Sequence, residues 1–279
     1  MSEWSDTIDD LIGYLRYCQE RGQREIEFND IELISMLDVS GVTRKPLASA
    51  SVPSTETQPS STAQKLTVQP ATSFEPTPFI GTSSALTAEE REAKLKFIAE
   101  KIAECKRCDL HKSRNKTVPG QGNFVSPEVM FIGEAPGAEE DQQGLAFVGA
   151  AGQLLTKMIV AMGFTREEVF IGNICKCRPP GNRQPTLEEM NACLPFLREQ
   201  VQIIRPKIIV ALGATAAKGL LGSNVRITQL RGHWTKYNGI PLMPTFHPAY
   251  LLRFPDAKRS AWSDLKAVLN LLGRPIPKH

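Results

Sequence analysis

The sequence predicts an α/β fold of three layers, in which a central, mainly parallel four-stranded sheet is flanked by helices. Four short apolar runs have the length of buried strands: Val129–Ile132, Val169–Ile174, Ile208–Leu212 and Leu242–Phe246. Stretches with apolar residues at helical spacing separate or follow these runs, near 150–162, 186–203, 213–221 and 257–272. Continuous apolar strands that alternate with helices are typical of a parallel sheet covered on both faces. Ligands of such sheets bind at the carboxyl ends of the strands.

The residues that precede this pattern differ from it in composition. In residues 1–38, apolar side chains recur at helical spacing and predict an amphipathic helical segment: Trp4, Ile8, Leu11, Ile12, Leu15 and Cys18. The apolar face of this helix either packs on the main domain or binds a partner protein. Residues 39–86 are rich in Ser, Thr, Pro, Ala and Gln. They predict a disordered linker, because such a segment buries too little surface to offset its ordering entropy.

The main domain, residues 87–279, opens with the capping-box pattern Thr87-Ala-Glu-Glu90, which is followed by a helix with an apolar face. Residues 91–279 contain 27 Lys and Arg against 16 Asp and Glu, whereas residues 1–90 contain 6 against 14. A basic domain behind an acidic leader suggests a polyanionic partner such as nucleic acid. A basic surface that is merely solvated fits the charge balance equally well.

No stretch of the sequence approaches the roughly 20 apolar residues that cross a bilayer, and the first residues lack the pattern of a signal peptide. We therefore expect a cytoplasmic protein without membrane contact. The chain has 6 cysteines, and in a reducing compartment these do not suggest a disulfide framework. Clustered cysteines there indicate a metal site or a redox role.

Four cysteines have the spacing of a metal site. Cys105 and Cys108 lie at the end of the first helix of the domain, while Cys177 and Cys193 bracket a loop and the start of a helix. Four thiolates suit zinc or an iron–sulfur cluster, and the number of ligands does not separate the two. Cys175 complicates the count, because it is only two residues from Cys177.

Glycine-rich segments follow the first strand, at Gly133-Glu-Ala-Pro-Gly137 and Gly144-Leu-Ala-Phe147-Val-Gly149. Glycines let the backbone approach a ligand, and the helix near 150–162 directs its free N–H groups at the same place. The segments lack the Lys-Ser/Thr of a phosphate loop and the spacing of a dinucleotide fingerprint.

Two further motifs, Asn173-Ile-Cys-Lys-Cys-Arg-Pro-Pro-Gly-Asn-Arg183 and His247-Pro-Ala-Tyr-Leu-Leu-Arg253, follow the second and the last strand. With these three ordered motifs and four cysteines, residues 91 to 273 resemble the iron–sulfur, or family 4, uracil-DNA glycosylases. The resemblance implies the uracil-DNA-glycosylase-like fold and a 4Fe-4S cluster on Cys105, Cys108, Cys177 and Cys193. It also implies hydrolytic removal of uracil from DNA, which leaves an abasic site. We expect the protein to act as a monomer.

The resemblance assigns roles to the residues of the base pocket. Phe147 is expected to stack on the flipped uracil, and Asn173 to read its Watson–Crick edge through the side-chain amide. Glu134 and Ala135 are expected to line the pocket. His247 is expected to donate to uracil O2 as negative charge develops on the departing base, for which a neutral imidazole suffices.

The groups that place the water follow less directly. Other branches of the superfamily carry an Asp where this chain has Ala135, so the usual base is absent. The resemblance leaves Glu134 and Glu140 as carboxylates near the pocket. Glu140 is predicted to orient the water and Glu134 to support the pocket, with Asn182 helping to hold the water. Asp141 is predicted to support the loop or to cap the next helix.

Contacts with DNA are predicted from the segment after His247. Leu251, with Leu252 beside it, is expected to fill the hole left by the flipped nucleotide, and Arg253 to hold a phosphate. Further candidate phosphate contacts are Arg178, Arg183 and Arg231. The chain departs from the family in having Leu145-Ala146 where an Arg-Pro is common, which affects fine specificity rather than the reaction.

Two other functions remain open from the sequence. The first is a non-catalytic DNA-binding or polymerase-associated module on the same fold, which the charge layout permits equally. The second is a zinc-stabilised nucleotide-binding protein, which the cysteine spacing alone does not exclude.

Overall fold

The computed structural model describes residues 86–222 and 226–277. Both ranges belong to one unit of the chain, Pro76–His279. The helical segment predicted at 1–38 and nearly all of the linker predicted at 39–86 lie outside the described residues, so both stay predictions.

The helices of the described ranges are, in chain order, α1 (Ala88–Glu104), α2 (Ala138–Gln143), α3 (Ala150–Ala161), α4 (Leu187–Ile204), α5 (Gly213–Leu221), α6 (Ile227–Leu230), α7 (Pro248–Arg253) and α8 (Ala257–Leu271). Short 3-10 turns lie at Asp109–Lys112 and Pro180–Asn182. The long helices were predicted to within about a residue, whereas α2, α6 and α7 were not predicted. None of the helices in the described ranges has both the length and the apolar character needed to cross a bilayer.

The strands of the described ranges form a single sheet: β1 (Gln121–Gly122), β2 (Val129–Gly133), β3 (Phe170–Asn173), β4 (Ile208–Leu212), β5 (Thr235–Tyr237) and β6 (Ile240–Thr245). Their order is β1-β3-β2-β4-β6-β5. The four predicted strands are the central ones and run parallel to one another. The very short β1 and β5 add antiparallel edges, so the sheet has six strands in the described ranges rather than the four predicted.

The sheet is covered on both faces, which gives the three predicted layers. Alternate side chains of a strand point to opposite faces. On β2, Met130 and Ile132 pack with residues of α1, α4 and α5, while Val129 and Phe131 pack with residues of α3 and α8. All five residues of β2 are buried, as expected for a central strand between two helical layers.

Local signals fix the ends of the two longest helices. Thr87 and Thr186 each accept a hydrogen bond from the backbone N–H three residues later, at Glu90 and Glu189, and those glutamates bond back to the threonine N–H groups. Both ends are therefore capping boxes, which satisfy N–H groups that a helix start leaves without partners.

The register of the parallel strands brings their carboxyl ends to one edge of the sheet. Gly133 at the end of β2 is paired with Asn173 at the end of β3. Leu212 at the end of β4 is paired with Thr245 at the end of β6. Residues that follow these four ends therefore share one mouth.

Candidate functional site

Two predicted pocket residues, Phe147 and Asn173, meet above the backbone of Gly133. A Cβ atom placed on Gly133 would lie 2.4 Å from Cζ of Phe147 and 2.5 Å from Oδ1 of Asn173. Only a glycine fits here, because any side chain would collide with both groups. The aromatic ring and the amide consequently border the same space at the ends of β2 and β3.

The Asn173 amide has an open acceptor. The residue is 1% exposed, and its Oδ1 is a buried atom without a hydrogen-bond partner among the described residues. An unsatisfied buried polar atom costs on the order of 1–3 kcal/mol, so native structures keep few of them. A polar ligand that reached Oδ1 would supply the missing donor.

His247 lies beside the Phe147 ring, with 5.7 Å between the two ring centroids. Its Nδ1 accepts a hydrogen bond of 3.1 Å from the N–H of Ala249 and so caps α7. Because Nδ1 is an acceptor there, the proton of the neutral imidazole is on Nε2. The capping contact therefore selects the tautomer that can donate from Nε2.

A glycine after β4 permits the position of His247. Gly213 has φ +87°, in the left-handed region, and a Cβ at this residue would lie 2.9 Å from Cβ of His247. Both the conformation and the close approach require glycine. All four parallel strand ends thus contribute to the site, which was expected for a sheet of this type.

Phe147 itself has a strained backbone, with φ 55°. A Cβ on Gly152 of α3 would lie 1.9 Å from the carbonyl oxygen of Phe147, so the loop that contains Phe147 lies directly on this helix. A non-glycine residue in this region persists only when its surroundings hold it there. Such strain frequently occurs in ligand-binding sites.

The Glu140 carboxylate holds this loop from the carboxyl side of Phe147. Its Oε1 accepts from the N–H groups of Val148 and Gly149 at 2.8 and 2.9 Å, and its Oε2 accepts from Gly137 N–H at 3.0 Å. The predicted water-orienting role of Glu140 is not supported by this geometry, because three backbone donors already use the carboxylate.

Arg166 holds the loop from the other side. Its guanidinium donates to the carbonyl of Ala146 and, at 2.9 Å, to Oγ1 of Thr156. The two oxygens of Asp141 accept from the backbone N–H and the side-chain amide of Asn115. These contacts join α2 to the segment at Asn115, and the predicted support of the glycine-rich loop by Asp141 stays a prediction.

Other predicted residues lie at the margin of the site. Glu134 and Ala135 are half-buried directly after β2, and the carbonyl of Glu134 accepts from Cys175 N–H at 3.0 Å. Asn182 is exposed in a 3-10 turn, where its Oδ1 accepts from Nε of Arg178 at 2.7 Å.

The predicted DNA wedge needs a correction. Leu251 is 1% exposed and packs with Phe246 and Ala261, whereas Leu252 is 45% exposed. The physical reason is α7, which turns Leu251 toward the core and its neighbour outward. Leu251 therefore cannot enter DNA without leaving the core. Arg253 is exposed beside Leu252.

Two of the arginines predicted to contact phosphates are engaged within the protein. Arg231 makes two hydrogen bonds to the buried carboxylate of Asp264, at 2.6 and 3.1 Å, and Asp264 also accepts from Oγ1 of Thr245. Arg183 makes two hydrogen bonds to Glu189, at 2.6 and 2.8 Å. Both arginines consequently stabilise the fold, and the Arg231 pair anchors the end of β6 just before His247.

The four predicted thiol ligands line one cavity between α1 and α4. Its walls include Cys105, Cys108, Cys177 and Cys193. The cavity holds about 280 Å³ of empty space, part of it open to solvent. Within the described ranges, no three Cys, His, Asp or Glu side chains are grouped closely enough to bind a single metal ion.

The surroundings of the thiols suit a cationic inorganic group. Burial raises the pKa of Cys177 to about 11 and also raises that of Cys108, so their thiolate forms need compensating positive charge. Hydrogen-bond donors already face two sulfur atoms: Arg114 donates to Cys177 Sγ at 3.1 Å, and the N–H of Lys176 donates to Cys193 Sγ at 3.2 Å. N–H groups directed at thiolate sulfur are a recurrent feature of iron–sulfur sites.

Cys175 occupies a different position from these four. It is fully buried behind Cys193, and the hydrogen bond between the two thiols lowers the pKa of Cys193 to about 7. Cys175 thus supports one wall of the thiol cavity.

Some residues of the site were not predicted from the sequence. Arg166, Gly213 and Lys176 act through contacts between segments that are distant in the chain, and the pairing of such segments cannot be read from spacing. Gly213 was the easiest of the three to predict, because a glycine at the end of a predicted strand indicates that another segment of backbone approaches closely.

Comparison with known proteins gives consistent matches. A model of the uracil DNA glycosylase superfamily matches residues 119–266. A type-4 uracil-DNA glycosylase of Thermotoga maritima is 47% identical over 165 residues, which are 58% of this chain and 85% of that protein. One of Sulfurisphaera tokodaii is 44% identical over 190 residues, 65% of this chain and 86% of that protein. One of Archaeoglobus fulgidus is 40% identical over 190 residues, 64% and 94% respectively.

Proposed function

Because this chain belongs to the type-4 branch of the uracil-DNA glycosylase superfamily, we propose that it excises uracil from DNA in a pocket formed by Phe147, Asn173 and His247. The chain is a hydrolase of N-glycosyl bonds. Its reaction releases uracil and leaves an abasic site, which begins base-excision repair. A base inside a duplex is out of reach of such a pocket, so the nucleotide must first be flipped.

The observation that carries the pocket assignment is the open acceptor on Asn173. Oδ1 of this residue is buried and has no donor within the described part of the chain. Uracil N3–H supplies a donor, and uracil O4 accepts from the amide nitrogen. Cytosine offers the opposite pattern at these positions and would leave both groups unpaired, which is the strong form of discrimination.

Phe147 and His247 complete the proposed pocket around the base. The Phe147 ring stacks on the uracil face, and the ring of His247 stands 5.7 Å away by centroid. As the glycosidic bond breaks, the electron pair moves to uracil, and the Nε2–H of His247 donates to O2 of the developing anion. Fixed donors aimed at such charge contribute on the order of 100- to 1000-fold to the rate.

In this proposal Glu134, rather than Glu140, orients the attacking water. Glu140 is buried and already accepts from three backbone N–H groups, whereas Glu134 is half-buried at the mouth of the site. The water oxygen bonds to the sugar carbon as the base leaves, and its proton passes to the solvent or to uracil. Asn182 is exposed, and its Oδ1 already accepts a hydrogen bond from Arg178. It therefore has only a secondary role in holding the water in this scheme.

Cys105, Cys108, Cys177 and Cys193 would hold a 4Fe-4S cluster, since they line one cavity and burial raises the pKa of Cys108 and Cys177, whose thiolate forms therefore need positive charge. When bound, the cluster supplies thiolate–iron bonds that tie α1 to α4 and to the segment after β3; hydrolysis requires no electron. On the DNA side we assign the wedge to Leu252 and a phosphate contact to Arg253. The cytoplasmic location, the monomeric state and a partner for the leader stay predictions.

An oligonucleotide with one uracil, treated with alkali after incubation, tests this function. The wild-type chain is expected to cut at uracil and not at thymine in the same position. Asn173→Ala should lower the single-turnover rate by about 100-fold or more, because the base loses its reading group. The matched control is Asn191→Ala, an exposed amide on α4. DNA binding without cleavage by the wild-type chain would favour the non-catalytic alternative.

A further inference from the structure

Lys176 is a buried amine that the proposed chemistry does not use. It is 1% exposed. Its Nζ donates to the backbone carbonyl of Asn173 at 2.9 Å and to Oε1 of Gln200 at 2.7 Å. Gln200 in turn donates from Nε2 to the carbonyl of Pro119 at 2.8 Å. Lysine is almost never fully buried unless it is paired, so a specific arrangement retains it here.

The hydrogen bond from Lys176 to the Asn173 carbonyl lies at the end of β3, where the pairing of the strands ends. Asn173 is the last residue of β3, and its pairing partner Gly133 is the last residue of β2. Beyond this point the chain bends toward the cysteines. The peptide plane that follows Asn173 is fixed on one side by the N–H of Ile174, which donates to the carbonyl of Gly133 at 3.0 Å. On the other side it is fixed by Lys176, which bonds the Asn173 carbonyl.

The orientation of this backbone peptide sets the direction of the side-chain amide of Asn173. The amide must place a donor and an acceptor within hydrogen-bonding distance of the base, and errors of about 1 Å remove most of the benefit of such contacts. The Asn173 side chain has no partner at Oδ1 within the described residues, so its own contacts do not hold that atom. The position of this amide therefore depends on the backbone and on close packing against Gly133.

We propose that Lys176 is a positioning residue for uracil recognition, which fixes the Asn173 backbone through Nζ and keeps the side-chain amide aligned with the base. This inference rests on the proposed role of Asn173. Lys176 does not touch the base in this proposal and takes no part in proton transfer. Gln200 accepts the second hydrogen bond of this amine, and the proposal gives it no part in positioning Asn173.

The test replaces Lys176 by Met, which has a similar shape and no donor, and by Gln, whose polar head is one bond shorter. For both variants the single-turnover rate on uracil DNA is expected to fall by about 10- to 100-fold, the range of a buried hydrogen bond left unmade. The inhibition constant of free uracil should rise by a similar factor. Affinity for abasic-site DNA, which contains no base to read, should stay within about threefold of wild type.

Gln200→Met serves as the matched control. It removes the hydrogen bond from the Lys176 amine to Gln200 and the one from Gln200 to the Pro119 carbonyl, but it leaves the bond between Lys176 and Asn173. It should lower the melting temperature as much as Lys176→Met does and leave the inhibition constant of uracil nearly unchanged. Cluster content, followed by visible absorbance, is measured for every variant, because Lys176 lies between two cysteines.

Three outcomes separate the possibilities. Equal losses of uracil binding in Lys176→Met and Gln200→Met would reduce Lys176 to a structural role, and wild-type uracil binding in folded Lys176 variants would also overturn the proposal. Should Lys176→Met fail to fold, Lys176→Gln gives the same comparison. If the wild-type chain itself neither cleaves uracil DNA nor binds uracil, the pocket assignment fails instead.

Discussion

The base pocket and the thiol cavity are held in opposite ways. In the pocket, supporting groups bind the backbone around the functional residues and leave a functional atom open: Glu140 and Arg166 hold the loop of Phe147, while Oδ1 of Asn173 has no partner in the described ranges. In the thiol cavity, donors face the functional atoms themselves, as Arg114 does with the sulfur of Cys177. The pocket therefore suits a substrate that binds and is released. The thiol cavity suits a group that stays bound.

This difference has an energetic side. The pocket contains a strained φ at Phe147 and a buried acceptor without a donor, and both cost stability in the absence of ligand. The cavity joins segments that are distant in the chain, and a group bound by all of them favours the folded state. Variants in the pocket should therefore lose activity and keep stability, whereas variants in the cavity should do the reverse.

The largest effect is expected at His247. In His247→Asn the single-turnover rate on uracil DNA should fall by about 100- to 1000-fold, since the donor to the departing base is lost. Asparagine is a good N-cap, so α7 should keep its start and the melting temperature should change little. Cleavage is measured in a gel assay, and thermal unfolding by circular dichroism.

His233→Asn is the control for this variant, because His233 is exposed and has no role in the proposed pocket. A rate for His247→Asn close to that of the control would show that the imidazole does not stabilise the leaving group. A large fall in melting temperature would instead show that the histidine is mainly structural, and the contrast between the two regions would lose its clearest case.

The second prediction concerns the thiol cavity. Cys105→Ser should lose visible absorbance and lower the melting temperature by about 10 °C, because the bound group no longer ties α1 to the rest of the domain. The folded fraction should cleave uracil DNA at a rate near that of wild type. Cys175→Ala is the matched control, since this buried thiol is not part of the lining of the cavity.

Normal absorbance in Cys105→Ser would remove this cysteine from the ligand set. A stable Cys105→Ser protein that had lost its absorbance and its catalysis together would assign the bound group to the chemistry, contrary to the comparison drawn above.

The sequence was sufficient for the parts of the molecule that repeat general rules. The four central strands, the long helices and the gathering of Phe147, Asn173 and His247 at the strand ends follow from apolar runs and from motifs placed after them. It was insufficient where a side chain must be assigned to one side of a short element. Six-residue helices such as α2 and α7 have too little periodicity to be detected, and each decided the direction of a predicted residue.

Glu140 and Leu251 are the two cases. Glu140 lies in the first turn of α2, where a carboxylate accepts from backbone N–H groups, and its sequence spacing to Gly137 is that of a capping box. Leu251 lies on the inner side of α7. Arg183 and Arg231 pair with Glu189 and Asp264, which become their neighbours only in the folded chain, and the phosphate contacts of both arginines stay predictions.

The smallest effect is expected for the leucines of α7, which test where the DNA-contacting surface begins. Leu252→Ala should lower cleavage of uracil in duplex DNA by about tenfold and change cleavage in single-stranded DNA much less, because only the duplex has a stack to refill. Stability should not change, since Leu252 is 45% exposed. Leu251→Ala should destabilise the fold by about 2–5 kcal/mol, as is typical of truncating a buried leucine.

The ratio of duplex to single-strand rates separates the two leucines better than either rate alone. A destabilised Leu251→Ala protein has fewer folded molecules, and this lowers both rates by the same factor, so the ratio is unchanged. Loss of the wedge lowers the duplex rate alone, so the ratio falls for Leu252→Ala. If the ratio falls instead for Leu251→Ala at a temperature where that variant is fully folded, α7 must turn on binding DNA and expose the buried leucine, and the pocket would then extend into a part of the core that the free protein keeps closed.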